Sequence, residues 1–366
     1  MDYRKLPHGE EMINPVGIGM GTMQVATEEE IENIVKKAID HGINFFDLCG
    51  GHNKVYAPFG RAIANQREKV YFQMHFGAVY NEEGEYGWSQ DLDAIKKTFE
   101  WEMQTLGVDY IDFGFLHCLD EVKDFEAMVQ NGVLDYVKAL KQEGKVRHIG
   151  FSSHTPEVAH KILDTGLIDM MMFSLNPAYD FECGDKYAIG TVKERYDLFA
   201  RCQKLGVGIS VMKPFHGGKL LSADQSPFGE SLTHYQCMAY CLDRPGVMAV
   251  VPGVQSMEQL DTLIGYMSTT DEEKDYSVIG TFTAEKISGT CVYCNHCLPC
   301  PAGIPIGLVN KYYDLAVNGD VLAEDHYKKL KVDATACLHC GHCESRCPFG
   351  VPQESRMDEI AAYFEK

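Results

Sequence analysis

Two periodicities alternate along the first 275 residues. Short apolar or β-branched runs recur at 15–20 (PVGIGM), 43–48 (INFFDL), 70–76 (VYFQMHF), 110–117 (YIDFGFLH), 147–153 (RHIGFSS), 169–175 (DMMMFSL), 207–213 (VGISVMK) and 247–253 (VMAVVPG). Each reads as a strand. Amphipathic helix patterns fill the intervals. In 27–42 (TEEEIENIVKKAIDHG), Thr27 can cap, Glu30 completes a capping box and Gly42 stops the helix. Further helices are predicted at 92–106, 132–143, 156–165, 191–205, 231–243 and 256–267. Eight strands with intervening helices predict an α/β fold, a (β/α)8 TIM barrel over 1–277. A doubly wound open sheet is the runner-up. The glycines of VGIGMGT alternate and do not form the G-x-G-x-x-G dinucleotide fingerprint.

Beyond residue 278 the pattern changes. The stretch GLVNKYYDLAVNGDVLAEDHYKKL has helical periodicity, with Leu308, Tyr312, Leu315 and Ala316 on one face. A small, mostly helical second domain is expected over 278–366.

Composition narrows the setting. The chain has 366 residues, 45% hydrophobic and 11% aromatic, and no apolar stretch near the roughly 20 residues of a membrane span. MDYRKLPHGEEM has no apolar core of a signal peptide, so a cytoplasmic location with reduced thiols is expected. A formal net charge of −20 argues against nucleic acid and anionic membranes as partners and favours solubility.

In that compartment fourteen cysteines are not a disulfide framework. Cys49, Cys118, Cys183, Cys202, Cys237 and Cys241 are scattered and read as core filling, with Cys49 and Cys118 as exceptions because they adjoin strand ends. The other eight form two runs: Cys291, Cys294, Cys297 and Cys300 before Pro301, and Cys337, Cys340, Cys343 and Cys347 before Pro348. The second run is the bacterial iron–sulfur spacing, in which the fourth cysteine ligates the other cluster. That predicts two [4Fe–4S] clusters, one on Cys291, Cys294, Cys297 and Cys347, the other on Cys337, Cys340, Cys343 and Cys300. The domain is therefore expected to be a ferredoxin-like dicluster domain. Structural zinc and a disordered thiol-rich tail are the rival readings.

GIGMGTM, GINFFDL, LGVDYIDFGFLH, EGKVRHIGFSSH, NPAYD and RPGVMAVVPG, in this order, resemble the aldo-keto reductases. End to end, the chain is similar to the iron–sulfur aldo-keto reductases of anaerobic microbes. The resemblance implies NAD(P)-dependent carbonyl reduction, a catalytic tetrad of Asp, Tyr, Lys and His at strand ends, and a cofactor extended over the barrel mouth. Asp47 matches the aspartate and His117 the histidine. By count the tyrosine slot holds His52, and the nearest tyrosine is Tyr56. The lysine slot holds His75, and Lys213 could supply the charge instead. In the cofactor site Ser152, Ser153, Asn176, Pro252 and Gly253 match. Met172, Met212 and Gln255 stand where a glutamine, a stacking aromatic and a basic residue are usual.

Asp47, His52, Tyr56, His75, His117 and His154 are thus expected near one barrel face, with Lys213 and His216 beside them. Two mechanisms fit. In one, Tyr56 protonates a carbonyl oxygen, tuned by Asp47 and His75 or Lys213, while His117 orients the substrate. In the other, His52, His75, His117 and Cys49 or Cys118 bind a metal. The clusters pass single electrons, and no flavin motif is visible. The leading function is oxidoreduction of a small carbonyl or alcohol substrate, with NAD(P)H as the cofactor and a redox protein as a second partner. The alternatives are an electron-transfer or redox-sensing protein with a degenerate barrel, and a ferredoxin-driven reductive enzyme that uses no nicotinamide.

Overall fold

The computed structural model describes residues 3–181, 187–282, 289, 291–317 and 321–365. Cys183 lies outside the described residues. Eight parallel strands form the frame: β1 (Ile18–Gly19), β2 (Phe45–Leu48), β3 (Tyr71–Phe76), β4 (Ile111–Leu116), β5 (Val146–Ser153), β6 (Met170–Ser174), β7 (Gly208–Met212) and β8 (Val247–Val250). Each pairs with the next in chain order. The ends also meet. Gly17 N–H donates to Val250 O at 2.8 Å and Gly19 N–H to Pro252 O at 2.9 Å. An open sheet would leave those groups unpaired, so the doubly wound alternative fails and the barrel stands. The alternating glycines allow this closure. A Cβ on Gly17 would lie 2.8 Å from Phe45 O, and one on Gly19 2.7 Å from Val251 O.

Side chains inside the barrel follow the period of two. Phe45, Phe113, Phe115, Met170 and Met172 fill it. Leu6 and Ile13, from an antiparallel pair of Arg4–Lys5 with Met12–Ile13, join the same cluster. The expected helix at 27–42 runs Glu28–Asp40, with the Thr27–Glu30 capping box formed and Ile31, Ile34, Val35 and Ala38 buried. Helices also occupy Leu92–Leu106, Val133–Gln142, Pro156–Leu163, Val192–Leu205, His234–Leu242 and Met257–Gly265, close to the predicted spans.

Three further elements bear on the site and were not predicted, nor was the N-terminal antiparallel pair. Tyr56–Ile63 is helical although it contains Pro58 and Gly60. Pro58 stands in the first turn, where its missing N–H costs nothing. Gly60 is there because a Cβ would meet Leu106 O at 2.6 Å. Val122–Gln130 forms a second unpredicted helix. Finally, an antiparallel hairpin of Ala78–Tyr80 and Tyr86–Trp88 follows β3.

The C-terminal part is helical as expected, with helices at Ile306–Val317, Val321–Lys328 and Gln353–Phe364. It has its own apolar cluster around Ile304, Ile306, Val309, Met357 and Ile360. Val292, Phe349 and Val351 instead pack into the barrel's core. Buried Arg244 secures that junction, donating to Val292 O at 3.0 Å and to the Tyr276 hydroxyl at 3.1 Å. Among the described residues no helix is long and apolar enough to cross a membrane.

A second buried arginine braces the barrel wall. Arg195 Nε donates to Asp180 Oδ1 at 2.7 Å, and both side chains are 0% exposed. The Tyr240 hydroxyl donates to Asp180 Oδ2 at 2.9 Å. Arg195→Leu leaves this carboxylate without its cation. It is expected to cost about 3–5 kcal/mol, read as an earlier denaturant midpoint. A loss within 1 kcal/mol would show that the pair is energetically neutral.

Candidate active site at the barrel mouth

The period that fills the barrel also builds its mouth. Continuing the inward register of β2, β3 and β4 past their packed aromatics reaches Asp47 and Cys49, then His75, then His117. All four line one cavity of about 630 Å³ at the carboxyl ends of the strands, where barrel chemistry resides. Ser152, His154, Met172, Met212, Lys213, Pro252, Gly253 and Gln255 line it too.

A chain of hydrogen bonds crosses the inner end. Gln73 Nε2 donates to Asp47 Oδ1 at 2.8 Å, and His75 Nε2 lies 2.7 Å from the same oxygen. His75 Nδ1 faces His117 Nδ1 at 3.0 Å. His117 Nε2 lies 2.7 Å from the Tyr86 hydroxyl. With Asp47 as a carboxylate, one polarity satisfies every atom. His75 Nε2–H donates to Asp47, His117 Nδ1–H to His75, and the Tyr86 O–H to His117. Burial, and then the neighbouring His75, push the His117 pKa well below the usual histidine value. His117 is therefore a neutral imidazole at physiological pH. Burial raises the Tyr86 phenol above its ordinary value.

Tyr86 arrives on the unpredicted hairpin, which lies across the loop after β2. Tyr86 N–H donates to Gly51 O at 3.2 Å, and His52 pairs with Glu85. The only hint in the sequence is a tyrosine in the short, polar NEEGEYGW stretch.

Several expected residues stand elsewhere. Tyr56, expected as the acid, is fully buried at the start of its helix and does not line the cavity. Its hydroxyl lies 3.0 Å from Leu48 O and 3.1 Å from the Tyr80 hydroxyl, and burial raises its pKa well above normal. It is a packing residue. His52 is turned to the local backbone, its Nδ1 accepting from Lys54 N–H at 3.1 Å, which removes it from the metal set. Asn176 and Ser153 lie behind the cavity wall. Asn176 Oδ1 accepts from Tyr179 N–H and its Nδ2 donates to Lys213 O. Ser153 Oγ accepts from Thr155 N–H. His216 also lies off the cavity. Lys213 lines it, but its ammonium rests on the Tyr187 ring, 3.4 Å from the centroid.

A second cluster joins Cys118, Asp120 and His154. Asp120 Oδ2 lies 2.9 Å from His154 Nδ1, so that nitrogen is engaged. Burial, and then Asp120, raise the Cys118 thiol to about 11.

The β7 and β8 side of the cavity suits a dinucleotide. Gly217 and Gly218 line it with φ of 65° and 90°, offering bare peptide edges. The loops after the last two strands are where barrels commonly hold phosphate. Lys213, Gln255, Pro252 and Gly253 complete that side.

The cysteines of the two runs group across the runs, except that Cys297 packs in the same apolar cluster as Cys343. Cys300, Cys337, Cys340 and Cys343 line one small cavity, although Cys300 belongs to the other run. Cys291, Cys294 and Cys347 pack against the barrel core. Burial raises the Cys294 and Cys297 thiols to about 11 and about 12, and the nearby Cys347 sulfur adds to both. Four sulfur donors per set fit an iron–sulfur cubane.

A model described as "Aldo/keto reductase family" matches residues 17–236, and one described as "4Fe-4S dicluster domain" matches 290–352. The chain is 23% identical over 286 residues to a probable aldo-keto reductase 1 of Glycine max, covering 68% of this chain and 78% of that one. It is 29% identical over 184 residues to the uncharacterized oxidoreductase YqkF of Bacillus subtilis strain 168, covering 47% of this chain and 56% of that one. The holo form of aldo-keto reductase AKR11C1 from Bacillus halodurans superposes with a TM-score of 0.62 at 22% identity, covering 77% of this chain and 96% of that one. An aldo/keto reductase from Klebsiella pneumoniae, solved with NADP and acetate, gives 0.53 at 18%, covering 74% and 92%. At these identities the likeness establishes the fold.

Proposed function

The chain belongs to the aldo/keto reductase family, and from that premise we propose that this oxidoreductase interconverts a small carbonyl compound and its alcohol in the 630 Å³ cavity, using NAD(P)H. The observation that carries the reading is the convergence of Asp47, His75 and His117 at one end of that cavity. The Klebsiella relative's NADP supports nicotinamide as the cofactor. Bound nicotinamide would supply the hydride, and the two [4Fe–4S] clusters one-electron steps. Lys213, Gly217, Gly218, Pro252, Gly253 and Gln255 would hold the dinucleotide, with Ser152 and Met212 toward its nicotinamide end. Ser153 and Asn176 act only by bracing the wall.

The oxygen of the substrate faces the His75–His117 pair. That oxygen gathers negative charge as the carbonyl is reduced, and the mouth must hold positive charge opposite it. Asp47 fixes the His75 ring by accepting from its Nε2–H. Tyr86 closes the other end and reaches solvent, a route for the proton. The eight cysteines of the two runs ligate the clusters in crossed sets, in a domain we place at 278–366 after a barrel domain at 1–277.

Anoxic titration of the cluster-loaded protein with NADH and with NADPH tests the cofactor. Saturable binding of one of them within about 1 mM is expected. Binding of neither would remove hydride chemistry and leave cluster-driven reduction.

A further inference from the structure

We propose that Cys49, His75 and His117 bind one divalent transition-metal ion, zinc by the chemistry of the set, at the inner end of the barrel-mouth cavity. One ring nitrogen from each histidine and the Cys49 sulfur lie within 4.8 Å of one another. The facing nitrogens are the two Nδ1 atoms, 3.0 Å apart. A tetrahedral zinc with bonds of about 2.0–2.1 Å to nitrogen and 2.3 Å to sulfur holds its nitrogens about 3.3 Å apart and the sulfur about 3.6 Å from each. The imidazole pair has to open by a few tenths of an ångström, and the Cys49 sulfur, within 4.8 Å of both rings, has to close by at most about 1.2 Å.

The surroundings are those of a metal centre. A ligating histidine ordinarily donates its other N–H to an outer partner, which fixes the ring. Here both rings have one: Asp47 Oδ1 at 2.7 Å from His75 Nε2, and the Tyr86 hydroxyl at 2.7 Å from His117 Nε2. With a metal between the rings the Asp47 bond persists as it is, and the Tyr86 bond persists with its polarity reversed: the His117 proton moves from Nδ1 to Nε2 and is donated to the Tyr86 oxygen. Only the Nδ1–Nδ1 hydrogen bond is exchanged for two metal–nitrogen bonds. The ligands stand at the ends of three adjacent strands, β2, β3 and β4, and the two histidines are buried. Three protein ligands leave a fourth position open toward the cavity, the arrangement of catalytic rather than structural zinc.

The metal would also fill a chemical gap. Tyr56 is packed away, the lysine slot holds His75, and the Lys213 ammonium rests on Tyr187. A metal ion would then supply the positive charge opposite the substrate oxygen, as a Lewis acid. That role rests on the function proposed above; binding of the metal does not.

The test uses the full protein with its clusters in place, equilibrated without oxygen against buffered Zn²⁺ and freed of loose metal. Zinc and iron are counted by mass spectrometry, and zinc K-edge absorption reads the ligands. One zinc per chain with nitrogen and sulfur neighbours is expected. It should be lost in both Cys49→Ala and His117→Ala, with iron and sulfide unchanged. Less than about a tenth of a zinc per chain at saturating metal, given the tight binding usual for such sites, overturns the proposal. So does an all-sulfur environment, which would mark displaced cluster cysteines, or full retention in both variants. The wild-type measurement stands even if a variant folds poorly. Zinc without nicotinamide binding would sink the hydride reading alone, and nicotinamide binding without zinc would sink the metal alone.

Discussion

Cys347→Ser is expected to destroy the cluster built on the other run, not the one its own neighbours hold. Cys337, Cys340 and Cys343 line a cavity with Cys300, whereas Cys347 lies with Cys291 and Cys294 against the barrel. Three cysteines spaced by two residues wrap one face of a cubane, and the Cys-Pro that closes the run reaches across to the second. The barrel side should therefore feel the loss, because Val292 and Phe349, beside these cysteines, are part of its core. About half of the iron and sulfide should go, since each cubane carries half of the metal. The surviving electron-paramagnetic signal should match that of Cys291→Ser and differ from that of Cys337→Ser. If Cys347→Ser instead removes the same signal as Cys337→Ser, the crossed sets are wrong and each run holds its own cluster.

The crossed sets are an expectation drawn from spacing alone, and spacing is a property of the chain. The barrel was readable for a similar reason. A strand lined on both sides by packing partners is written as a short apolar run, and VYFQMHF and YIDFGFLH carry Gln73, His75 and His117 at the inward period, with Asp112 on the outward one beside Arg67 and Arg147. Facing at strand ends could be reached by the same count: Asp47, Cys49, His75 and His117 all lie on it. Loops break the count. The count on from Asp47 falls on His52 and Tyr56 is only the nearest tyrosine, and the residues between turn the chain into a helix whose first side chain is buried in the wall. Nothing local announces that helix, since its glycine answers to Leu106 on another element. Tyr86 was invisible for the opposite reason. Its position depends on a hairpin whose strands are three residues each, too short for periodicity to register. Ser153 and Asn176 follow β5 and β6 as expected, but a side chain at such a corner either faces the cavity or caps the turn. Both do the latter.

His117→Ala should abolish most turnover while leaving the rest of the protein intact. This imidazole is the junction of the mouth: one nitrogen faces His75, the other Tyr86, and Asp47 is reached only through His75. His154, which also lines the cavity, belongs to a separate pair, its Nδ1 turned to Asp120. Deleting the ring removes a group at the reacting oxygen, an effect of about 10²–10⁴ in kcat/KM for the carbonyl compound that the wild-type enzyme reduces. Iron and sulfide content and nicotinamide affinity should stay at wild-type values, because the ring's hydrogen-bond partners are His75 and Tyr86, neither a cluster cysteine nor a residue of the β7–β8 side. Tyr86→Phe keeps the ring but takes away its outer anchor, and the loss should shrink to about 10–100-fold. The order of the two effects is the informative part. Equal losses would mean that His117 acts only as far as Tyr86 holds its ring. Wild-type turnover in His117→Ala would move the chemistry to Cys118 and His154, which line the same cavity.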